Sequence, residues 1–159
     1  MKQTEEKILV LLNIRSTHNV GSIFRTADSI GISKIYLVGY TPAPIDRFGR
    51  KRKDISKSAL GAEENIDWES IEDANNLIDE LKKKYFQIIS LEQSENSIDY
   101  KNIETQEKVA VILGNEVEGI ESDVLNKSDV IAEIPMYGKK ESLNVSVSTG
   151  ILLYRLFDK

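Results

Sequence analysis

Five short apolar runs, at residues 8–13, 34–39, 86–91, 108–114 and 129–135, constrain the fold of this chain more than any other feature. They are rich in β-branched and aliphatic side chains, with ILVLLN and KVAVILG as the plainest cases. Strands this apolar need cover on both faces, as in a parallel sheet with helices on either side. Helical periodicity fills the intervals. Residues 19–30 place Val20, Ile23, Phe24, Ala27 and Ile30 at three- and four-residue spacings. Residues 70–84 do the same with Ile71, Ala74, Leu77, Ile78 and Leu81, then end in lysines that suit the C-terminal end of a helix dipole. A shorter helix is predicted after Ile120, with Ser122 as its cap and Val124 and Leu125 facing inward. The stretch 143–157 alternates like a strand at Val145 and Val147 but repeats like a helix at Val147, Ile151 and Tyr154, and its length favours a helix. The alternation predicts an α/β domain with a mostly parallel sheet flanked by helices. The last helix is apolar on most sides and needs cover from its own sheet or a second subunit, so a homodimer is expected.

At 159 residues the chain has the size of one domain, read as spanning 1–159. Its apolar runs fall far short of the ~20 residues that cross a bilayer, and its start lacks the basic-then-apolar order of a secretory leader. No membrane partner is expected, and the cytoplasm is the expected location. The absence of cysteine and the single His18 exclude thiolate and multi-histidine metal centres. His18 reads as a helix-start residue rather than a catalytic base. A net charge of −5 argues against coating nucleic acid through bulk electrostatics. The local balance differs: Arg47, Arg50, Lys51, Arg52, Lys53 and Lys57 face only Asp46 and Asp54 between positions 46 and 57. The enclosing segment 40–66, broken by Pro42, Pro44 and Gly49, reads as a long mobile surface loop.

Three segments join a strand end to a cluster of Gly, Asn, Ser and charged residues, and open parallel sheets bind ligands at such ends. The first, NIRSTHNVGSIFRTAD over residues 13–28, opens a helix capped by Thr17 or Asn19 and carries Arg25. An intrahelical Arg25–Asp28 pair accounts for that arginine without any function. The second, GNEVEG over 114–119, directly follows a strand, where glycine permits close backbone approach to a ligand. It fits neither GxxxxGK[ST] nor GxGxxG, so nucleoside triphosphates and dinucleotides are poorly supported. The third, IPMYGKKESLNVSVS over 134–148, ends a strand at Pro135 and brings Ser142 and Asn144 before the last helix, where polar capping also explains them.

In this order and spacing, Asn19-x-Gly21-x-Ile23-x-Arg25, LGNEVEG at 113–119 and IPMYGKKESLNVSV at 134–147 resemble the three motifs of SpoU/TrmH-type RNA 2'-O-ribose methyltransferases of the SPOUT superfamily. The chain looks like a minimal single-domain member, with the likeness running from residue 13 to 156. The resemblance implies a C-terminal deep trefoil knot, S-adenosyl-L-methionine bound in a bent form, and a homodimer. Periodicity alone leads instead to an unknotted sheet. The resemblance also implies that Arg25 activates the ribose 2'-hydroxyl. A guanidinium stays protonated to above ~12. The expected role is therefore to grip a neighbouring phosphate and stabilise the developing alkoxide, while a phosphate oxygen or a transiently neutral guanidine takes the proton. Asn19 is expected to help place substrate and Arg25, and Glu116 to orient Arg25, within one subunit or across two. Ser142 and Asn144 are expected near the methyl donor and target ribose. Leu91, Gly114, Ile134, Met136, Ser142 and Leu143 are expected to cradle the cofactor, largely through backbone. The basic cluster becomes an RNA-backbone contact, with Phe48 a candidate for stacking on a base; Trp68 and the six tyrosines show no platform-like spacing. The small size favours tRNA over rRNA. A SPOUT enzyme acting on rRNA or a base atom, and a catalytically silent RNA-binding domain, are the competing readings. Retention of Asn19, Arg25, Glu116 and Asn144 weighs against a base-atom enzyme and a silent domain. Val117 stands where the family often has glycine.

Overall fold

The computed structural model describes residues 5–159. Chain order is β1 (Glu6–Leu12), α1 (Thr17–Ser29), β2 (Lys34–Val38), α2 (Lys53–Ala59), α3 (Ala62–Asn65), β3 (Asp67–Ile71), α4 (Ala74–Lys83), β4 (Gln87–Leu91), β5 (Ile98–Asp99), a 3-10 turn (Tyr100–Asn102), β6 (Lys108–Leu113), α5 (Ser122–Lys127), β7 (Val130–Glu133) and α6 (Val145–Phe157). The seven strands form one parallel sheet in the order β3-β2-β1-β6-β4-β7-β5. Side chains alternate across it. Leu9 and Leu11 of β1, with Ile35, Leu37 and Val111, share one core with α1, α2, α3 and α6. Ile8, Val10 and Leu12, with Ala110 and Ile112, share the other with α4 and α5. Both faces are covered, as the uninterrupted apolar runs require.

Several expectations change. Strands β3 and β5 were not expected. The first is an edge strand reading DWESI, mostly exposed, and the second is two residues long. Helix α1 is capped by Ser16, whose hydroxyl accepts from the Asn19 amide at 3.1 Å, so Thr17 and Asn19 both lie inside the helix. Helix α5 starts at Ser122 itself after Glu121, with no side-chain cap. The segment 40–66 is largely ordered structure rather than a mobile loop. It contains α2 and α3, and buries Ile55, Ala59 and Ala62 in the first core.

Gly21 seats α2 against α1. A Cβ there would meet the Ser58 hydroxyl and the Ile55 carbonyl, and Ser58 Oγ donates to the His18 carbonyl at 3.0 Å. Gly21→Ala overpacks this crossing and is expected to destabilise by about 1–3 kcal/mol. Calorimetry should show a melting temperature several degrees lower; an unchanged one would mean that α2 is not held here.

Candidate active site

The C-terminal ends of β1, β6 and β4 lie side by side in the sheet, and the loops leaving them meet the segment that precedes α6. Together they wall a cleft of about 330 Å³ whose lining includes Asn19, Leu91, Gly114, Glu116, Ser142 and Asn144. A contiguous pocket of about 150 Å³ shares Leu91, Ser142 and Leu143 with it and adds Ile134 and Met136. The positions expected from sequence to cradle a cofactor thus line one continuous depression.

Hydrogen bonds join the three motif segments. Glu116 Oε1 accepts from the Arg15 amide and Oε2 from the Ser16 amide, both at 2.9 Å. Its Oε2 also accepts from Asn19 Nδ2 at 3.2 Å. Asn19, buried at 6% exposure, in turn accepts from Asn144 Nδ2 at 3.2 Å. Asn144 Oδ1 caps α6 by accepting from the Ser146 amide at 2.9 Å. One chain of contacts, Glu116 to Asn19 to Asn144, therefore ties the second, first and third motifs.

Burial by itself pushes the Glu116 carboxyl up, but the amides of Arg15 and Ser16, its own amide and the Asn19 side chain outweigh that and hold it below the usual glutamate value. A carboxyl depressed in the folded state contributes stability that is complete above the unfolded-state range and is lost as pH falls through the folded value. Glu116→Gln should therefore show a shallower loss of stability than the native chain between pH 7 and the carboxylate range near pH ~4. Urea unfolding at the two pH values reads the difference, and parallel losses would remove Glu116 from the acid response.

Two residues of the cleft escaped sequence reasoning. Asn115 Nδ2 donates to the Asn13 carbonyl at 2.9 Å and to Tyr40 Oη at 2.8 Å, while its Oδ1 accepts from the Val117 and Glu118 amides at 2.9 and 2.8 Å. It shapes the turn that aims Glu116. Glu92 Oε2 accepts from the Ile120 amide at 2.9 Å, joining the loop after β4 to the loop after β6. The available signal was a polar residue within two positions of a strand end. Glycine is required at 114, where a Cβ would sit 2.6 Å from the Gly119 carbonyl.

Arg25 stands apart. It lies six residues beyond Asn19 on α1, about 240° around the helix; its side chain is exposed and does not line the cleft. Among the described residues it forms no ion pair with Asp28 and no hydrogen bond, so the intrahelical pair that would have made it merely structural does not exist. Within one chain, Glu116 thus holds the start of α1 and Asn19, not Arg25.

The basic cluster divides. Arg47 and Arg50 sit on a tight hairpin, Lys51 and Arg52 at its base, and Lys53 and Lys57 on α2. Lys51 pairs with Glu64 at 2.8 Å and lies 3.8 Å from Glu63; Arg52 pairs with Asp54 at 3.5 Å. Those partners, Glu63 and Glu64, lie outside the run read from sequence, so the cluster is less cationic than its composition suggests.

Comparison with known proteins agrees with this geometry. The family described as SpoU rRNA Methylase family matches residues 6–154. A Staphylococcus aureus protein named for the TrmH family of tRNA/rRNA methyltransferases is 32% identical over the whole chain, which spans 63% of that relative. A tRNA (guanosine(18)-2'-O)-methyltransferase of Aquifex aeolicus is 30% identical over 96% of the chain and 69% of its own length. Among solved structures, an AdoMet-bound rRNA methyltransferase from Sinorhizobium meliloti superposes with a TM-score of 0.86 at 28% identity, covering 96% of this chain and 56% of that one.

Proposed function

The chain belongs to the SpoU rRNA methylase family, and from that premise we propose that it methylates a ribose 2'-hydroxyl of RNA, tRNA in preference to rRNA, using S-adenosyl-L-methionine. The observation that carries the reading is the chain of contacts from Glu116 through Asn19 to Asn144, which assembles the three motifs around one cleft. The cleft fits the cofactor: its volume lies at the lower end of small-molecule sites, and its lining combines apolar Leu91 and Leu143 with polar Asn19, Ser142 and Asn144. Leu91, Gly114, Ile134, Met136, Ser142 and Leu143 would hold the cofactor, which when bound supplies an electrophilic methyl carbon on a sulfonium. The rest falls to the protein. Asn19, Asn144 and Ser142 position the ribose, and holding the reactants in line supplies much of the rate. Arg25 grips the adjacent phosphate and stabilises charge developing on the 2'-oxygen.

Because Arg25 lies off its own cleft, the reading includes a homodimer in which each cleft is completed by the partner copy. The face of α6 beside it supports this: Val147 and Tyr154 are 50% and 43% exposed, and Tyr154 Oη donates to Ser29 Oγ of α1 at 3.1 Å, joining the two helices into one surface. The trefoil knot implied by the motifs belongs to the same proposal. Its support is that Ser142, Leu143, Asn144, Val145 and Ser148 line one cleft with the loops after β4 and β6.

The deciding experiment is transfer of labelled methyl from S-adenosylmethionine to bulk tRNA and to rRNA, native chain beside Arg25→Ala, followed by nucleoside analysis. A 2'-O-methylated nucleoside formed by the native chain alone supports the reading and names the RNA. Failure of the chain to bind the cofactor ends it.

A further inference from the structure

The hairpin over residues 45–51 holds an aromatic side chain in solvent on a braced frame. Asp46 Oδ1 accepts from the Phe48 and Arg50 amides, both at 2.9 Å. The Asp46 amide donates to the Arg50 carbonyl at 2.8 Å, and Ile45 bridges Lys51. Below it the Arg52 amide donates to the Pro44 carbonyl at 2.8 Å. This network fixes the turn, yet it leaves Phe48 65% and Ile45 48% exposed. Neither ring nor aliphatic chain contributes to a core there, so the exposure has no folding benefit.

The surroundings of the ring are cationic and grooved. The guanidiniums of Arg47 and Arg50 lie over the Phe48 ring, 4.8 and 5.1 Å from its centroid. Arg47 has no acidic partner among the described residues, and Arg50 approaches Asp46 only at 4.0 Å. Both guanidiniums stay beside the ring, while Lys51 and Arg52 of the cluster are met by acidic neighbours. Beside the ring runs an open groove of about 500 Å³, with Trp68 of edge strand β3, Arg47, Phe48 and Arg52 along it. The sheet thus brings to one place two aromatics that are twenty residues apart, which spacing alone does not suggest.

We propose that this groove is a second RNA-binding site, in which one unpaired base of the substrate, distinct from the methylated nucleotide, stacks between Phe48 and Trp68 while its flanking phosphates meet Arg47 and Arg50. Stacking is tolerant of base identity and needs an unpaired nucleotide. The groove therefore selects RNA by the presence of a loop base at a fixed reach from the target, and α2 sets that reach. Ser58 of α2 donates through its Oγ to the His18 carbonyl of α1 at 3.0 Å, so the helix that follows the hairpin is docked onto the helix that carries Asn19. The inference rests on RNA being the substrate.

Trp68 is the only tryptophan of the chain, so its fluorescence reports on the groove directly. The protein is titrated with a single-stranded oligoadenylate and with tRNA, native chain beside Phe48→Ala and Phe48→Tyr. Saturable quenching of Trp68 is expected, with the midpoint raised about tenfold in Phe48→Ala, the order of one lost base–aromatic stack, and restored in Phe48→Tyr. Phe48 is exposed, so the variants should fold, and cofactor affinity measured in parallel confirms it. If RNA is methylated but Trp68 is not quenched, or Phe48→Ala binds as tightly as the native chain, the groove is not a binding site and the methyltransferase reading survives. If quenching depends on Phe48 while no RNA is ever methylated, the groove stands and the proposed activity falls.

Discussion

Arg25→Lys is expected to bind RNA within a few-fold of the native chain and to lose about 10²–10³ in turnover, the scale seen when one preorganised donor to a developing oxyanion is removed. The charge is kept, so attraction to phosphate survives. What is lost is the planar fork that meets two oxygens at once and holds a fixed position relative to the 2'-oxygen. The structure makes the test unusually free of folding artefacts, because the Arg25 side chain is exposed and has no hydrogen bond or ion pair among the described residues. Single-turnover methyl transfer and filter binding, measured on the same preparation, separate the two effects. A Lys variant that turns over within tenfold of the native rate would show that charge alone suffices, and the alkoxide role assigned to Arg25 would have to be abandoned.

Asn19→Asp should be the most damaging isosteric change in the cleft. Asn19 Nδ2 donates to Glu116 Oε2 at 3.2 Å from a position only 6% exposed. Aspartate replaces that donor by a second carboxylate oxygen and sets two like charges against each other. A cost of about 3 kcal/mol follows from the lost charge-assisted bond and the partly buried repulsion. At 2–4 °C per kcal/mol that is roughly 6–12 °C of melting temperature. Asn19→Ala, which removes the donor without adding charge, should be milder at neutral pH. The sign of the pH effect is the sharper check. In the Asp variant the close pair raises a carboxyl pKa in the folded state, so its deficit is full at high pH and shrinks as acid lets the two carboxyls share a proton. Melting curves of both variants at pH 8 and pH 5 should converge at the lower value; a gap that widens instead would mean that Glu116 and residue 19 do not share one hydrogen-bonded site.

What could be read beforehand followed the physics of burial. The interior strands were legible because residues such as Ile8 to Leu12 and Val109 to Leu113 are covered on both faces and admit no polar side chain. The edge strand β3 was not, since Glu69 and Ser70 face solvent and its pairing comes from β2 rather than from its own composition. Helix α2 was hidden by the lysines and arginines around it, although Ile55 and Ala59 lie buried. Asn144 at the start of α6 was legible as a cap, while Ser16 was passed over for its neighbours because only the backbone turn decides which hydroxyl meets the Asn19 amide. Asn115 reaches the backbone carbonyl of Asn13 and Glu92 the backbone amide of Ile120, both in distant loops, and a partner of that kind has no residue type to announce it.

The contact chain across the cleft has a kinetic side. Glu116 and Asn19 are 97 positions apart, and Asn19 and Asn144 are 125 apart, so no local stretch of chain contains even a rudiment of the site. Such high-separation contacts are slow to close and come late in folding. A chain halted before residue 144 lacks one link outright, whatever part of its sheet has formed. Ligand affinity then serves as a report of completed folding, and a ligand at a hundred times its dissociation constant adds about 2.7 kcal/mol to the finished state alone.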